Sequence, residues 1–246
     1  MSATGSVDVV CGLRGDRSRL TSLRSSGLSR TSRAFAERGG AVRVVLGTLG
    51  PGVLAGDRFA LTGRILARAA LVVRGQMATP VFAGQTPSRA WATWAVGDGG
   101  LLDAVNEPLV LEAGSEHAAR TQVDVEGSGV AILAETVGFR GPARLAVRTS
   151  VSLDGALVFR DALALEGSPA AGALGTVVVV ARDGALRAAI AEQARTLCAS
   201  FSGEGRAGLG ETAAAVVVRL ARFSVWNAHQ LSRILAESAC ALARRR

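Results

Sequence analysis

The chain has 246 residues and a formal charge of +8, with 28 basic side chains against 20 acidic ones, and it contains neither Lys nor Tyr. A chain of this length buries roughly 75% of the surface its unfolded form exposes, so it can hold one large all-β domain or two small ones without a disulfide staple. Cys11, Cys198 and Cys240 form no CxxC pair, and no apolar run nears the ~20 residues of a membrane helix, which sets aside disulfide frameworks, zinc ribbons and helical membrane proteins and leaves a cytoplasmic protein with reduced thiols as the expectation.

Residues 12 to 33, "GLRGDRSRLTSLRSSGLSRTSR", are rich in Arg and Ser and lack a clean amphipathic face. They predict a basic, partly flexible arm over residues 1–32 with a short strand, ahead of a single β-rich domain over 33–246. The apolar run "AVRVVLG" then leads into "LGTLGPGVLAGDRF", residues 46 to 59, which concentrates Gly47, Gly50, Gly52 and Gly56. A dinucleotide fingerprint needs GxGxxG between a strand and a helix, because the phosphate rests on the helix N-terminus. Here Gly56 comes one position late, and the residues beyond it alternate through Phe59, Leu61 and Ile65 as a strand does. A Walker motif requires a Lys, and there is none. Turns are the better reading, and a nucleotide-dependent α/β enzyme the lesser alternative.

From about residue 41 to 181 the period is mostly two. In "ARTQVDVEGSGVAILAETV", Thr121, Val123 and Val125 share one face and Gln122, Asp124 and Glu126 the other. In "RLAVRTSVSLDGALVFRDALAL", alternation runs up to Asp154-Gly155, a dipeptide whose tolerance of positive φ marks a hairpin. Further breaks fall at Gly97 to Gly100, Gly127 to Gly129 and Gly138 to Pro142. The expectation is a mainly β fold, one extended system of many short antiparallel strands and not βαβ units, with no internal repeat. Two helices follow, near 185–200 and 228–243, separated by a flexible link over 202–210 and the buried strand "AAAVVVRLARF". Asn227 and Gln230 have the spacing of a capping box for the last helix.

Candidate chemistry is sparse. His117 and His229 lie far apart, outside any HxH or HExxH pattern, and read as ordinary polar side chains. No Ser sits in a GxSxG elbow, so a hydrolase triad has no support. The basic charge invites nucleic-acid binding through phosphate contacts, but there are only seven Phe and three Trp to stack on bases, and the Arg-only bias points to composition rather than function. Carboxylates are more informative. Asp57 ends the glycine turn, Asp103 and Glu107 flank "AVNEP", and Glu135 interrupts "VAILAETV". A carboxylate in a buried strand costs several kcal/mol unless it is paired, hydrated or bound to a cation. Glu135 therefore pairs with an Arg or belongs to an acid-lined path for a cation.

These segments, in order and over most of the chain, resemble the urease accessory protein UreD (UreH) family. "SRAFAERGGAVRVVLGTLGPGVLAGDRF" is similar to its opening box and glycine turn through Arg33, Phe35, Gly52, Gly56 and Asp57. "LVVRGQMATPVFAG" matches through Gln76, Ala78 and Thr79, and "LLDAVNEPLVL" through Asn106, Glu107 and Pro108. "AILAETVGFRG" matches through Glu135, Gly138 and Arg140, and "GALGTVVVV" continues the order with Gly175 and Thr176. Val53, Pro80, Phe82 and Ala134 stand where the family has Gly, Lys, Tyr and Trp. The resemblance implies a single large domain of many strands in a helix-like or stacked-sheet arrangement with two helices, and a non-catalytic scaffold with no tightly bound cofactor. It implies binding to UreF and through it to the GTPase UreG, docking on apo-urease, and transient handling of nickel that UreE supplies indirectly. Asp57, Glu107 and Glu135 are the candidate carboxylates along such a nickel path.

Overall fold

The computed structural model describes residues 3–168, 172–201 and 205–245. The strands are β1 (Thr4–Arg14), β2 (Arg17–Gly27), β3 (Ser29–Thr31), β4 (Phe35–Ala36), β5 (Val42–Thr48), β6 (Arg58–Ile65), β7 (Ala70–Gly75), β8 (Thr79–Val81) and β9 (Ser88–Val96). They continue with β10 (Leu101–Val105), β11 (Leu109–Leu111), β12 (Glu116–Val125), β13 (Val130–Phe139), β14 (Ala143–Leu153), β15 (Ala156–Gly167) and β16 (Ala173–Ala181). Helix α1 (Gly184–Ser200), β17 (Arg206–Glu211), β18 (Ala215–Phe223) and helix α2 (Val225–Ala243) complete the chain.

Two sheets face each other. The first has seven strands in the order β15-β14-β12-β9-β6-β1-β2. The second, of eleven strands, runs β17-β18-β16-β13-β10-β7-β5-β3, with β4, β8 and β11 attached beside it. From β6 to β13 the chain passes from one sheet to the other and back, so that each coil lies on the previous one: Arg58 pairs with Arg89, Arg89 with Ala118, and Ala118 with Ala146. One coil takes about 30 residues, the span of a stacked-coil repeat. The tight turns of successive coils are stitched together at one end. Asp98 Oδ1 accepts the Ser128 N–H at 2.7 Å, and Asp154 Oδ1 accepts the Gly127 N–H at 2.7 Å.

The alternation sorts side chains into three apolar clusters. One lies between the sheets at the tight-turn end, built on Val44, Ile65, Leu71, Trp94, Val123, Leu133 and Val151. A smaller one lies between the sheets at the opposite end, around Val53, Val81, Leu111, Phe139 and Leu145. The third joins the outer face of the eleven-stranded sheet to the helices, with Val105, Ile132, Val177 and Val218 against Leu186, Ile190, Leu231 and Leu235. Each fully buried Val, Leu, Ile or Phe contributes roughly 1.5–3 kcal/mol of transfer free energy, so the third cluster holds both helices firmly on the sheet.

The mainly β, stacked-sheet fold with two helices is as expected, but strand direction is not uniform. The pairs β6·β9, β9·β12, β12·β14, β5·β7, β7·β10 and β10·β13 are parallel. Only the flanks, such as β14·β15 and β13·β16, are antiparallel. Period-two alternation is the same for both directions, and the Gly-rich breaks at 97–100 and 127–129 cross between sheets instead of folding back within one. The repeat is therefore one of shape and not of sequence. The segment expected as an arm is two 11-residue strands, with β1 parallel to β6 and antiparallel to β2. Its Arg residues are exposed, while Val7, Val9, Cys11, Ser18 and Ser29 are buried. Residues 206–210 of the expected link lie in the edge strand β17, which pairs with β18, while 202–204 lie outside the described residues. Helix α2 starts earlier than expected: Ser224 is its N-cap, accepting the Asn227 N–H at 3.1 Å, so Asn227 is at the third helical position.

Candidate functional site

Between the two inter-sheet apolar clusters runs a band of polar side chains. Its origin is one register row on each sheet. On the seven-stranded sheet, Leu61 pairs with Ala92, Ala92 with Thr121, Thr121 with Thr149, and Thr149 with Asp161. On the other sheet Glu135 pairs with Thr176 and Thr176 with Arg219. Arg219 forms an ion pair with Asp161 across the gap and donates to Thr176 Oγ1 at 2.9 Å. Glu135 Oε1 accepts from Thr121 Oγ1 at 3.4 Å. Burial raises the Glu135 pKa, opposed by the Thr121 hydrogen bond and the Arg219 charge, with Asp161 adding to the rise.

A cavity of about 300 Å³ opens on this band. The register explains why space is left there. Strands β7 and β10 pair from Leu101 and Ala70 up to Val105 and Arg74, and pairing resumes only between Leu109 of β11 and Thr79 of β8. The intervening segments Gly75–Ala78 and Asn106–Pro108 leave the ladder side by side, and β13 runs uninterrupted beside them from Ala134 to Val137. The chain around Gly50 and Gly52 forms the next wall. Gly52 takes φ +148°, and a Cβ there would lie 2.4 Å from the Pro80 carbonyl oxygen, so a side chain would push this wall away from its neighbour. Ala90, Ala92 and Ala119 line the opposite wall and are too small to fill the gap.

Glu107 and Glu135 both line the cavity. Glu107 Oε2 also lies 3.3 Å from His229 Nε2, which ties the bulged segment to helix α2. Burial pulls the His229 pKa down and the Glu107 charge opposes the shift. His117 lines the cavity as well and is 4% exposed. Its Nδ1 lies 2.8 Å from Ser88 Oγ, and burial pushes its pKa down to about 4.

Of the residues singled out from sequence, the structure brings Gly52, Gln76, Ala78, Thr79, Glu107 and Glu135 to one cavity. Asp57 is elsewhere. It is fully buried, and its two carboxylate oxygens accept the Ala3 and Leu54 N–H groups at 2.9 Å each, pinning the turn and the start of β1. Gly56, at φ +81°, belongs to that same turn. Arg33 and Arg43 lie 5.8 and 5.6 Å from the Phe35 ring. Pro108 accepts the Thr79 N–H at 2.8 Å, fastening one bulge to the next. Gly138 and Gly175 admit Val225 and Ser232 of α2 against the sheet. Arg140 pairs with Glu112 at 3.0 Å on the surface, and Asp103 forms a bidentate pair with Arg74 at 2.7 and 3.0 Å, outside the cavity. The sequence analysis read His117 as an ordinary polar side chain and did not single out the Asp161–Arg219 pair. The signal for His117 was its parity, since it alternates with Thr121 and Val123 on the same face of β12.

The glycines of residues 46–59 hold no nucleotide fingerprint in the structure, because the segment after Gly56 is strand β6 and not a helix. Among the described residues no group of three or more His, Cys, Asp or Glu side chains gathers as a fixed metal cage, and no helix is long and apolar enough to cross a membrane. What the site offers is an acid-bearing cavity, largely apolar in its lining, within an apolar interior.

The family profile described as UreD urease accessory protein matches residues 3–245. A urease accessory protein UreD from Sorangium cellulosum (strain So ce56) is 33% identical over 147 residues, an alignment covering 55% of this chain and 46% of that relative. The chain thus matches less than half the length of that curated relative. The match of the family profile over nearly the whole chain places it in the UreD family.

Proposed function

We propose that this UreD-family chain is a scaffold in urease maturation whose inter-sheet cavity gives a nickel ion a polar route. The observation that carries the reading is that Glu107, Glu135 and Thr121 line the cavity, with Thr149 and Asp161 continuing their register row, in an interior that is apolar on both sides. A carboxylate such as Glu135 is an expense to stability in that place. Its presence makes physical sense if a hydrated divalent cation passes it and exchanges water for carboxylate oxygen. Nickel is here cargo and not a resident cofactor, which agrees with a site of scattered carboxylates and not of a closed ligand set. In this reading the chain performs no chemical step. It binds UreF directly and the GTPase UreG through UreF, and it docks with them on apo-urease. UreE acts upstream as a nickel donor. The exposed Arg side chains suit acidic partner surfaces.

The test is co-expression of the urease subunits with UreE, UreF and UreG, with and without this chain, measuring nickel per urease and urea hydrolysis. The expected result is nickel loading that depends on the chain and falls several-fold with Glu135→Gln, while the chain still co-purifies with UreF. Equal loading without the chain contradicts the reading.

A further inference from the structure

The two sheets do not end together. The Asp161–Arg219 ion pair sets β18 opposite β15, where the seven-stranded sheet stops, while the other sheet goes on past β18 to β17. Register shows which residues of β17 face inward. Gly208 pairs with Arg219 and Gly210 with Val217, and Val217 packs into the inter-sheet cluster. Leu209, between them, turns the other way to the helices. A Cβ on Gly208 or on Gly210 would have no neighbour within 4 Å among the described residues. The outer edge of β15 lies beside this bare shelf. Arg144 donates its N–H to the Ser115 carbonyl at 2.9 Å, on the β12 side, so the even-numbered residues of β14 turn their backbone groups to β12 and the odd-numbered ones to β15. Val147 pairs with Leu163 and Leu145 with Leu165. The odd-numbered residues of β15 therefore close that ladder, and Arg160, Ala162, Ala164 and Glu166 turn their N–H and C=O groups outward. No strand among the described residues takes them up.

We propose that this shelf is the docking site of an extended, acidic and apolar segment of a partner protein, which adds to β15 as an eighth strand of its sheet. The inference goes beyond the cavity and does not depend on the cation reading. Backbone pairing with the open edge supplies affinity, and the alternating side chains of the added strand supply selectivity. Its inward side chains face Gly208 and Gly210, next to the half-buried Leu163 and Leu165, so they are apolar and bulky enough to fill what the glycines leave. The charge follows from the rim. Asp161, Glu166 and Glu211 are engaged by Arg219, Arg144 and Arg195. Arg160 of β15 and Arg206 of β17 are exposed and form no ion pair among the described residues. An Asp or Glu on the added strand beside Arg160 is attracted, and a basic residue there is repelled. Edge strands that must stay unpaired are blunted by short length, proline or bulges. The one irregularity of β15 falls at Val158, ahead of the regular stretch from Phe159 to Gly167.

The probe is a capped eight-residue peptide in which valine alternates with threonine and one threonine is replaced by aspartate. It is added to the full chain, and hydrogen exchange of the Ala162 and Ala164 amides is followed by NMR. Exchange is expected to be fast in the free chain and slow with the peptide bound. Ala164→Pro removes one outward N–H and leaves the β14 ladder intact, and Gly208→Val fills the shelf. Each is expected to weaken peptide binding about 10-fold or more, the effect of one backbone hydrogen bond left unmade or of the space lost. A peptide with lysine in place of aspartate is expected to bind more weakly at low salt. The proposal is overturned if the peptide does not bind, if it binds without slowing these amides, if Gly208→Val binds it unchanged, or if the lysine peptide binds as well. Gly208→Val touches no ladder hydrogen bond, so it decides the matter even if Ala164→Pro fails to fold. Amides already slow in the free chain also overturn it: a monomer in sedimentation then means that the chain covers its own edge, and a dimer that a second copy does.

Discussion

At the scale of the residue, Glu135 is the side chain whose chemistry and position are most at odds with stability alone. Its folded-state pKa lies above the usual 4.5 because burial disfavours the charge. Ionisation is then penalised in the folded chain and not in the unfolded one, so the penalty is absent below the unfolded pKa. It grows as pH rises from there to the folded pKa and stays constant above it. Glu135→Gln is accordingly expected to raise Tm at pH 7, with the gain shrinking to nothing near pH 4, as thermal unfolding monitored by circular dichroism across that range will show. A Tm lowered at pH 7 would mean that the carboxylate is held by stronger partners than Thr121 and Arg219. That Glu135 faced an interior was legible from "VAILAETV", since the apolar residues on either side leave it no surface. That Asp57 did not belong with it was illegible, because its partners Ala3 and Leu54 come from the chain start and from its own turn.

At the scale of the element, alternation and turn dipeptides read well. The Asp154-Gly155 hairpin forms with φ +49° and +78°, as its residues require. Strand β6 follows the glycine stretch, and α1 and α2 fall within a few residues of their expected bounds. What failed was strand direction, which depends on which strand a distant coil supplies and leaves no trace in local periodicity. The cap of α2 failed for a different reason. Asn227 and Ser224 are both good caps, and Val225, packed against the sheet at Gly138, lies in the first turn of a helix that starts at Ser224. Ser224→Ala should remove that cap and cost about 1 kcal/mol, a fall in Tm of about 2–4 °C for a chain of this size. An unchanged Tm in calorimetry would return the cap to another residue.

At the scale of the whole molecule, two sheets close over apolar clusters at both ends and leave an acid-bearing cavity between them. The cavity arises because β7 and β10 interrupt their ladders at the same level, in the "RGQMATP" and "AVNEPLV" segments, while β13 does not. Each segment had been singled out from the sequence, but their meeting at one wall depends on the register of the stacked coils, which the sequence did not reveal. The account's central claim is the proposal that a nickel ion passes through this cavity, and blocking it without touching a carboxylate or a histidine tests that most directly. Ala119 lines the cavity from the opposite wall, so Ala119→Phe should fill it. The measurement is nickel per urease after co-expression with the accessory proteins and the Ala119→Phe chain, with co-purification of UreF as the check that the chain still folds. The account predicts several-fold lower nickel with UreF still bound; full nickel loading with the cavity filled would contradict it.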